Sequence, residues 1–151
     1  MQQLEKAIDS NGASITGAGD YEVYWYYDIE AEGRPLLFVH SINAAPSAID
    51  LKPLFQHFRS YRSVYAPDLP GFGRSTRHVG MMTASEFAKN ISSIIDQISP
   101  SEPPDVIALS LGCEFVARAV VECGANVRSL TFISPTGFSR RQPPPLQAQK
   151  R

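Results

Sequence analysis

One serine stands where a short apolar run meets a stretch with helical character, within residues 105–115 of the chain. The residues two positions to either side of this Ser110 are small, namely Ala108 and Gly112. A side chain at the tip of a sharp turn from a strand into a helix is held in an unfavourable backbone region, and only small neighbours leave room for that turn. The pattern therefore predicts that Ser110 is exposed as a nucleophile. The alternative is a serine that only caps the helix beginning at Leu111, because serine is common at helix N-termini.

Two earlier segments carry further residues that fit an acyl-transfer site. Residues 36–43 form an apolar run followed by a His-Ser pair, and residues 68–75 read Asp-Leu-Pro-Gly-Phe-Gly-Arg-Ser. With the turn at Ser110, they resemble three motifs of the α/β-hydrolase superfamily in that family's order: a strand followed by a His-Gly turn, an Asp-x-Pro-Gly-x-Gly-x-Ser loop, and a nucleophile elbow. The resemblance covers residues 21–138, and it is the three motifs together that make it specific.

The resemblance implies a serine hydrolase of the esterase-like branch, in which Ser110 attacks an ester, thioester or related acyl carbonyl of a small-molecule substrate. It also implies an oxyanion hole made of the backbone N–H groups of Leu111 and Ile42, because the negative oxygen of a tetrahedral intermediate needs preorganised donors. The chain departs from the family pattern at Ser41 and Ala108, which stand where glycine is commonest. Since glycine reaches backbone angles that serine resists, the sequence leaves the geometry of the donor at Ile42 open.

The other polar residues near these motifs have simpler interpretations. In the resembling family the loop that contains Asp68 is structural, so we do not expect Asp68 to be a catalytic acid. Arg74, Arg77 and His78 could edge a substrate entrance, although a solvated loop is the simpler explanation and the one that we prefer.

The sequence does not supply the base that such a serine needs. Serine is a poor nucleophile until a neighbouring base takes its proton, and hydrolases of this fold carry their partners in the order serine, carboxylate, histidine. No histidine or aspartate follows Ser110, and the two later carboxylates, Glu114 and Glu122, lie in the predicted helix that leads away from the site. The histidines that precede the serine are His40, His57 and His78. By the resemblance His40 is structural, whereas His57 falls late in a predicted helix and His78 in a loop.

Three hypotheses follow from this shortage. The first is an incomplete serine hydrolase, weakly active or inactive by itself, whose complete form acts through Ser110. The second is a non-catalytic hydrolase-like module that binds a small hydrophobic ligand or a protein. The third is that another chain donates the acid and the histidine across an interface.

The elements that must position these residues alternate between strands and helices. Apolar runs predict an edge strand at 21–29 and buried strands at 36–39, 63–67, 105–109 and 130–133. Helical spacing of apolar residues predicts helices at 47–58, at 83–98 and at 111–123. Thr83 and Glu86 form a capping box at the start of the second helix, which runs to Ile98, and Gly124 is a left-handed cap at the end of the third. Buried strands that alternate with helices indicate an α/β fold with a doubly wound, mostly parallel sheet, α/β-hydrolase-like and truncated after the strand that follows the elbow helix.

This division gives a flexible leader at residues 1–20, a partial hydrolase domain at 21–138 and a disordered tail at 139–151. The last predicted strand would leave an unpaired edge through which the chain could associate with another.

Bulk composition excludes several functions. The 151 residues are 43% hydrophobic and 19% charged, with a formal net charge of −1, so we expect one globular domain without general attraction to nucleic acid or anionic membranes. Cys113 and Cys123 are too few for a disulfide scaffold and have no zinc-site spacing, and no nucleotide-binding glycine motif is present. The N-terminus lacks the apolar core of a signal peptide. We therefore expect a soluble, cytoplasmic protein without a cofactor.

Overall fold

The computed structural model describes residues 5–77, 79–98 and 100–136. These residues form six strands and three α-helices in an alternating order that agrees with the predicted α/β class. In chain order they are β1 (Asn11–Thr16), β2 (Glu22–Asp28), β3 (Leu36–Val39), a 3₁₀ turn (Ala48–Leu51) that leads into α1 (Lys52–Phe58), β4 (Val64–Pro67), α2 (Ala84–Ile98), β5 (Asp105–Leu109), α3 (Leu111–Cys123) and β6 (Ser129–Ile133).

All six strands belong to one sheet, in the order β1-β2-β4-β3-β5-β6. Strands β4, β3, β5 and β6 are parallel, whereas β1 and β2 are antiparallel to their neighbours. The register pairs Val39 at the end of β3 with Ala108 near the end of β5. The segments that follow these two strands, which contain the His-Ser turn and Ser110, therefore emerge side by side at one edge of the sheet.

The predicted flexible leader is wrong over its second half. Residues 11–16 form β1, which pairs with β2 from Asn11↔Tyr27 to Thr16↔Glu22. Upstream of the strand Ile8 is fully buried. Strand β2 is consequently flanked on both sides and is not the edge strand that the sequence predicted. The sequence did not predict this strand because β1 contains a single large apolar residue, Ile15. It therefore lacks the alternation of apolar and polar side chains that indicates a strand.

Helices cover both faces of the sheet, as expected for a doubly wound fold. Helices α2 and α3 pack on one face, and the 3₁₀ turn and α1 pack on the other. All four residues of β3 are buried, because this strand is covered from both sides. Strand β5 differs: Val106 and Ala108 are buried, whereas Ile107 and Leu109 on the α1 side are only partly covered. Strand β5 is thus only partly covered and residues 129–131 of β6 are exposed, so the prediction of buried strands at 105–109 and 130–133 is wrong in this respect.

The helix-end signals predicted from the sequence are confirmed. The backbone N–H of Thr83 donates to the Glu86 carboxylate at 2.7 Å and the N–H of Glu86 donates back to the Thr83 hydroxyl at 3.3 Å, which is a capping box. Gly124 ends α3 with a φ of 70°. The predicted tail, 139–151, lies outside the described residues.

Candidate active site

The backbone of Ser110 adopts the strained conformation of a sharp strand-to-helix turn. Its φ is 51° and its ψ is −117°, and its side chain makes no capping hydrogen bond to α3. A residue other than glycine held in such a region costs on the order of 1–3 kcal/mol. The alternative of a serine that only caps the helix therefore fails. The N–H of Ser110 donates to the carbonyl of Ile133 at 2.8 Å, which ties the turn to the end of β6.

The small residues around Ser110 permit a close approach between the elbow and β3. A Cβ atom added at Gly112 would lie 2.5 Å from the carbonyl oxygen of His40 and 3.1 Å from that of Val39. Ala108 is fully buried, between Val39 of β3 and Phe132 of β6 in the sheet. The first turn of α3 thus lies directly against the loop that leaves β3, which accounts for the predicted need for small neighbours.

The two proposed oxyanion donors lie at the same edge of the sheet. Leu111 is the first residue of α3, where a backbone N–H has no acceptor within its own helix, and Ile42 lies in the loop after β3. Among the described residues, neither N–H has a hydrogen-bond acceptor. The described residues other than glycine with positive φ are Asp20, Ser110 and Ser134, so Ser41 stands in place of the family glycine without adopting a left-handed backbone.

His40 is fully buried, and both of its ring nitrogens are occupied. Its Nε2 accepts a hydrogen bond from the N–H of Leu69 at 2.9 Å, and its Nδ1 donates to the carbonyl of Ser41 at 2.5 Å. These partners define the neutral tautomer with the proton on Nδ1. Burial lowers the pKa of His40, although the Ser41 carbonyl and the charges of Asp68 and Asp50 oppose that effect. His40 therefore holds two loops together and is not available as a base.

Asp68 organises its loop through backbone contacts, as its structural interpretation predicted. Its carboxylate accepts hydrogen bonds from the N–H of Ala48 at 2.8 Å and of Arg74 at 3.0 Å, and its carbonyl accepts one from the Ser75 hydroxyl at 2.5 Å. Gly73 has a φ of 49°, and a Cβ atom there would lie 2.2 Å from the Asp68 carboxylate. The loop therefore requires glycine at this position.

The other candidate bases do not reach the elbow. Glu114 and Glu122 form ion pairs with Arg118 along α3, at 3.0 and 2.6 Å. His57 packs its ring against Phe58 and Tyr61. His78 lies outside the described residues. Across residues 5–77, 79–98 and 100–136, no histidine or carboxylate forms a hydrogen bond with the side chain of Ser110.

A pocket of about 290 Å³ lies beside Ile42 and was not predicted from the sequence. It is lined by Ile42, Phe72, Arg77, Val79, Met82, Phe87 and the loop residues Pro70, Gly71 and Gly80. These residues come from three separate segments of the chain, so no local sequence motif predicts the pocket. Of the two arginines considered above, Arg77 lines the pocket, whereas Arg74 lies over the ring of Tyr24 with 4.6 Å between its guanidinium carbon and the ring centre.

Sequence comparison assigns the chain to a family that fits this geometry. Residues 36–151 match the Alpha/beta hydrolase family, and the chain belongs to that family. The chain is also 28% identical over 144 residues to a protein of Mycobacterium tuberculosis described as a probable oxidoreductase EphD; the match covers 92% of this chain and 22% of that protein.

Solved structures share the fold. An α/β hydrolase fold protein from Burkholderia ambifaria superimposes with a TM-score of 0.73 at 21% identity, covering 87% of this chain and 47% of that one. A thermophilic esterase from Thermogutta terrifontis superimposes with a TM-score of 0.69 at 19% identity, covering 83% and 46%. The chain thus spans less than half the length of these structures and about a fifth of the mycobacterial protein.

Two kinds of feature are absent from the described residues. None of their helices has the length and apolar character needed to cross a membrane. No group of three or more His, Cys, Asp or Glu side chains in this part of the chain is arranged to hold a metal ion.

Proposed function

We propose that Ser110 is the nucleophile of an acyl-transfer site that acts on an ester, thioester or related acyl carbonyl. The observation that carries the proposal is the strained backbone of Ser110, with φ 51° and ψ −117°, because the strain serves no capping role. The Ser110 hydroxyl oxygen would bond to the acyl carbon while a base takes its proton and the carbonyl π electrons move onto oxygen. When the carbonyl re-forms, the bond to the alcohol or thiol would break and the base would return the proton to that leaving group. The N–H groups of Leu111 and Ile42 would stabilise the oxygen that becomes negative, and each such donor contributes on the order of 10²-fold in rate.

The base and its carboxylate partner would come from outside the described residues. His40 is excluded by its two hydrogen bonds, so the described part alone should be weakly active or inactive. The incomplete cover of β5 and β6 supports association with further polypeptide. Residues 129–131 of β6 are exposed, and in the part of the chain that the structure describes this strand pairs with β5 alone. A strand added beside β6 would extend the sheet and cover apolar surface.

Chemical rescue tests the role of Ser110 without the missing histidine. Excess imidazole can act as the external base while the chain reacts with p-nitrophenyl acetate, and peptide mapping by mass spectrometry locates the acetyl group. We expect imidazole-dependent acetylation at Ser110 and none in Ser110→Ala. Ser134→Ala is the matched control, because Ser134 also follows a strand with positive φ. Acetylation spread over other residues, with Ser110 unmodified, would remove the nucleophile role.

A non-catalytic binding module is the second candidate. The occupied ring nitrogens of His40 favour it, because the nearest histidine to the elbow cannot serve a reaction. A module predicts saturable ligand binding that Ser110→Ala leaves unchanged, together with no acetylation of Ser110 at any imidazole concentration.

A further inference from the structure

We propose that the pocket beside Ile42 receives an acyl group that has an apolar body and a carboxylate at its far end. The assignment as an acyl group rests on the proposed function, since Ile42 both lines the pocket and supplies a proposed oxyanion donor. Binding of the free carboxylate does not rest on it, because the pocket exists whether or not Ser110 reacts. The ligand class follows from the wall, the charge and the size of the pocket.

The wall of the pocket is apolar, and one of its residues belongs to the hydrophobic core. Phe72, Met82 and Phe87 line it together with Ile42 and Val79. The ring of Phe87 is stacked on the ring of Phe115 from α3, with 4.7 Å between their centres and 16° between their planes. Phe115 and Phe87 are buried in the core shared by α2 and α3, so close packing fixes the Phe87 side of the pocket. A preformed apolar surface of this kind favours a compact hydrocarbon or aromatic body.

The charge of the pocket is positive. Arg77 is its one charged lining residue among those described, and no carboxylate lines it. One guanidinium N–H of Arg77 donates to the carbonyl of Gly73 at 3.2 Å, which restrains the side chain. Among the described residues this is its one hydrogen bond, and the planar fork of guanidinium N–H groups matches the geometry of a carboxylate. The end of the ligand at Arg77 is therefore anionic.

The size of the pocket limits the body of the ligand. A cavity of about 150 Å³ is enough to hold benzene. The volume of about 290 Å³ therefore accommodates a phenyl ring with a short chain. This fits a short aryl or branched acyl group whose far end carries the carboxylate.

The test compares 3-phenylpropanoate with 3-phenylpropanol, which has the same body without the charge. Binding to the chain is followed by NMR, through the methyl groups of Met82 and Ile42. We expect the carboxylate to bind about fivefold more tightly than the alcohol, a preference typical of a partly exposed ion pair, and to lose that preference at high salt. Arg77→Gln should equalise the two ligands. Arg74→Gln is the matched control and should change nothing, since Arg74 does not line the pocket.

A second variant tests the place of binding. Met82→Trp should weaken both ligands by filling the pocket, and thermal unfolding verifies that each variant is folded. Equal affinity for the two ligands, a charge preference that persists in Arg77→Gln, or no binding at millimolar ligand would each overturn the proposal. Ser110→Ala should bind both ligands normally. Ligand binding without acetylation of Ser110 would thus contradict the role of Ser110 as nucleophile and support the ligand assigned to the pocket. Acetylation of Ser110 without ligand binding would support the nucleophile and contradict the ligand.

Discussion

The imidazole Nε2 of His40 accepts a hydrogen bond from the backbone N–H of Leu69 at 2.9 Å, and both residues are fully buried. This bond joins the loop after β3 to the loop after β4. The histidine that stands nearest to the elbow in the sheet is therefore committed to holding the frame of the site.

Replacing that histidine should destabilise the fold. His40→Ala leaves the buried N–H of Leu69 without an acceptor, which costs about 1–3 kcal/mol, and creates a cavity that costs more. Urea unfolding followed by circular dichroism measures the change. His57→Ala on α1 is the control and should have a smaller effect, because its ring nitrogens make no hydrogen bond in the described residues. Equal losses in the two variants would contradict the bridging role of His40.

Stability should fall in mild acid because of the same residue. Burial lowers the pKa of His40 below its ordinary value of about 6.5, so the folded state favours the neutral ring. The resulting stability is present above pH 6.5 and is lost as the pH falls below that value, where the unfolded chain takes up the proton more readily. Urea midpoints measured between pH 7.5 and 5 should decline for the natural chain and decline less for His40→Gln. Parallel declines would assign the effect to other groups.

An alkaline transition should come from Tyr26. Burial raises the pKa of this tyrosine to about 12, helped by the charge of Asp68, while its hydroxyl accepts a hydrogen bond from the N–H of Ala7 at 3.0 Å. The neutral phenol is thus favoured in the folded state, and the stability it contributes is lost as the pH rises from 10 towards 12. Tyr26→Phe should flatten that decline, at a cost of about 1 kcal/mol at neutral pH for the lost bond. A decline of equal steepness in the variant would exclude Tyr26 as its source.

Gly112→Ala should be destabilising although alanine favours helices. The new methyl group would lie 2.5 Å from a backbone carbonyl, which cannot move away as a side-chain end can, and overpacking of this kind costs about 1–3 kcal/mol. Gly124→Ala is the comparison, because its Cβ would meet nothing within 4 Å and only its φ of 70° opposes the change. Thermal unfolding should show the larger loss for Gly112→Ala. In addition, only this variant should slow acetylation of Ser110, since only it displaces the elbow.

The open edge at β6 should promote self-association. Thr131→Lys places a charge at the middle of this exposed strand and should reduce aggregation without lowering stability. Ser14→Lys, at the middle of β1 on the opposite edge of the same sheet, is the matched control. Light scattering and sedimentation measure the outcome. An equal reduction in both variants would contradict a special role of the β6 edge in association.

Most of the frame was predictable because its signals are local. The capping box at Thr83 and Glu86, the glycine stop at Gly124 and the small residues around Ser110 each describe a few consecutive residues whose chemistry dictates one conformation. The roles of His40 and Asp68 entered only through the family resemblance. Their partners, Leu69 and Ala48, lie 29 and 20 residues away along the chain, so no spacing rule reveals them.

The features that the sequence did not predict share one cause, which is that they depend on residues far apart in the chain. Strand β1 is held by backbone pairing with β2, and the pocket beside Ile42 is assembled from distant segments, so neither leaves a periodic pattern in the sequence. The partial exposure of β5 depends on which other elements pack against it, and the sequence of the strand does not contain that information. Its apolar residues, which include Ile107 and Leu109 on the partly covered side, indicate only that burial of the strand is favourable.

The hydrogen bond from the Ser110 N–H to the carbonyl of Ile133 links the backbone conformation of the serine to β6, the outermost described strand. Any polypeptide that docks along β6 and shifts Ile133 would also move the backbone from which the hydroxyl projects. Docking along β6 and the position of the Ser110 hydroxyl are therefore mechanically coupled, so a partner on β6 would act on the proposed nucleophile without touching it.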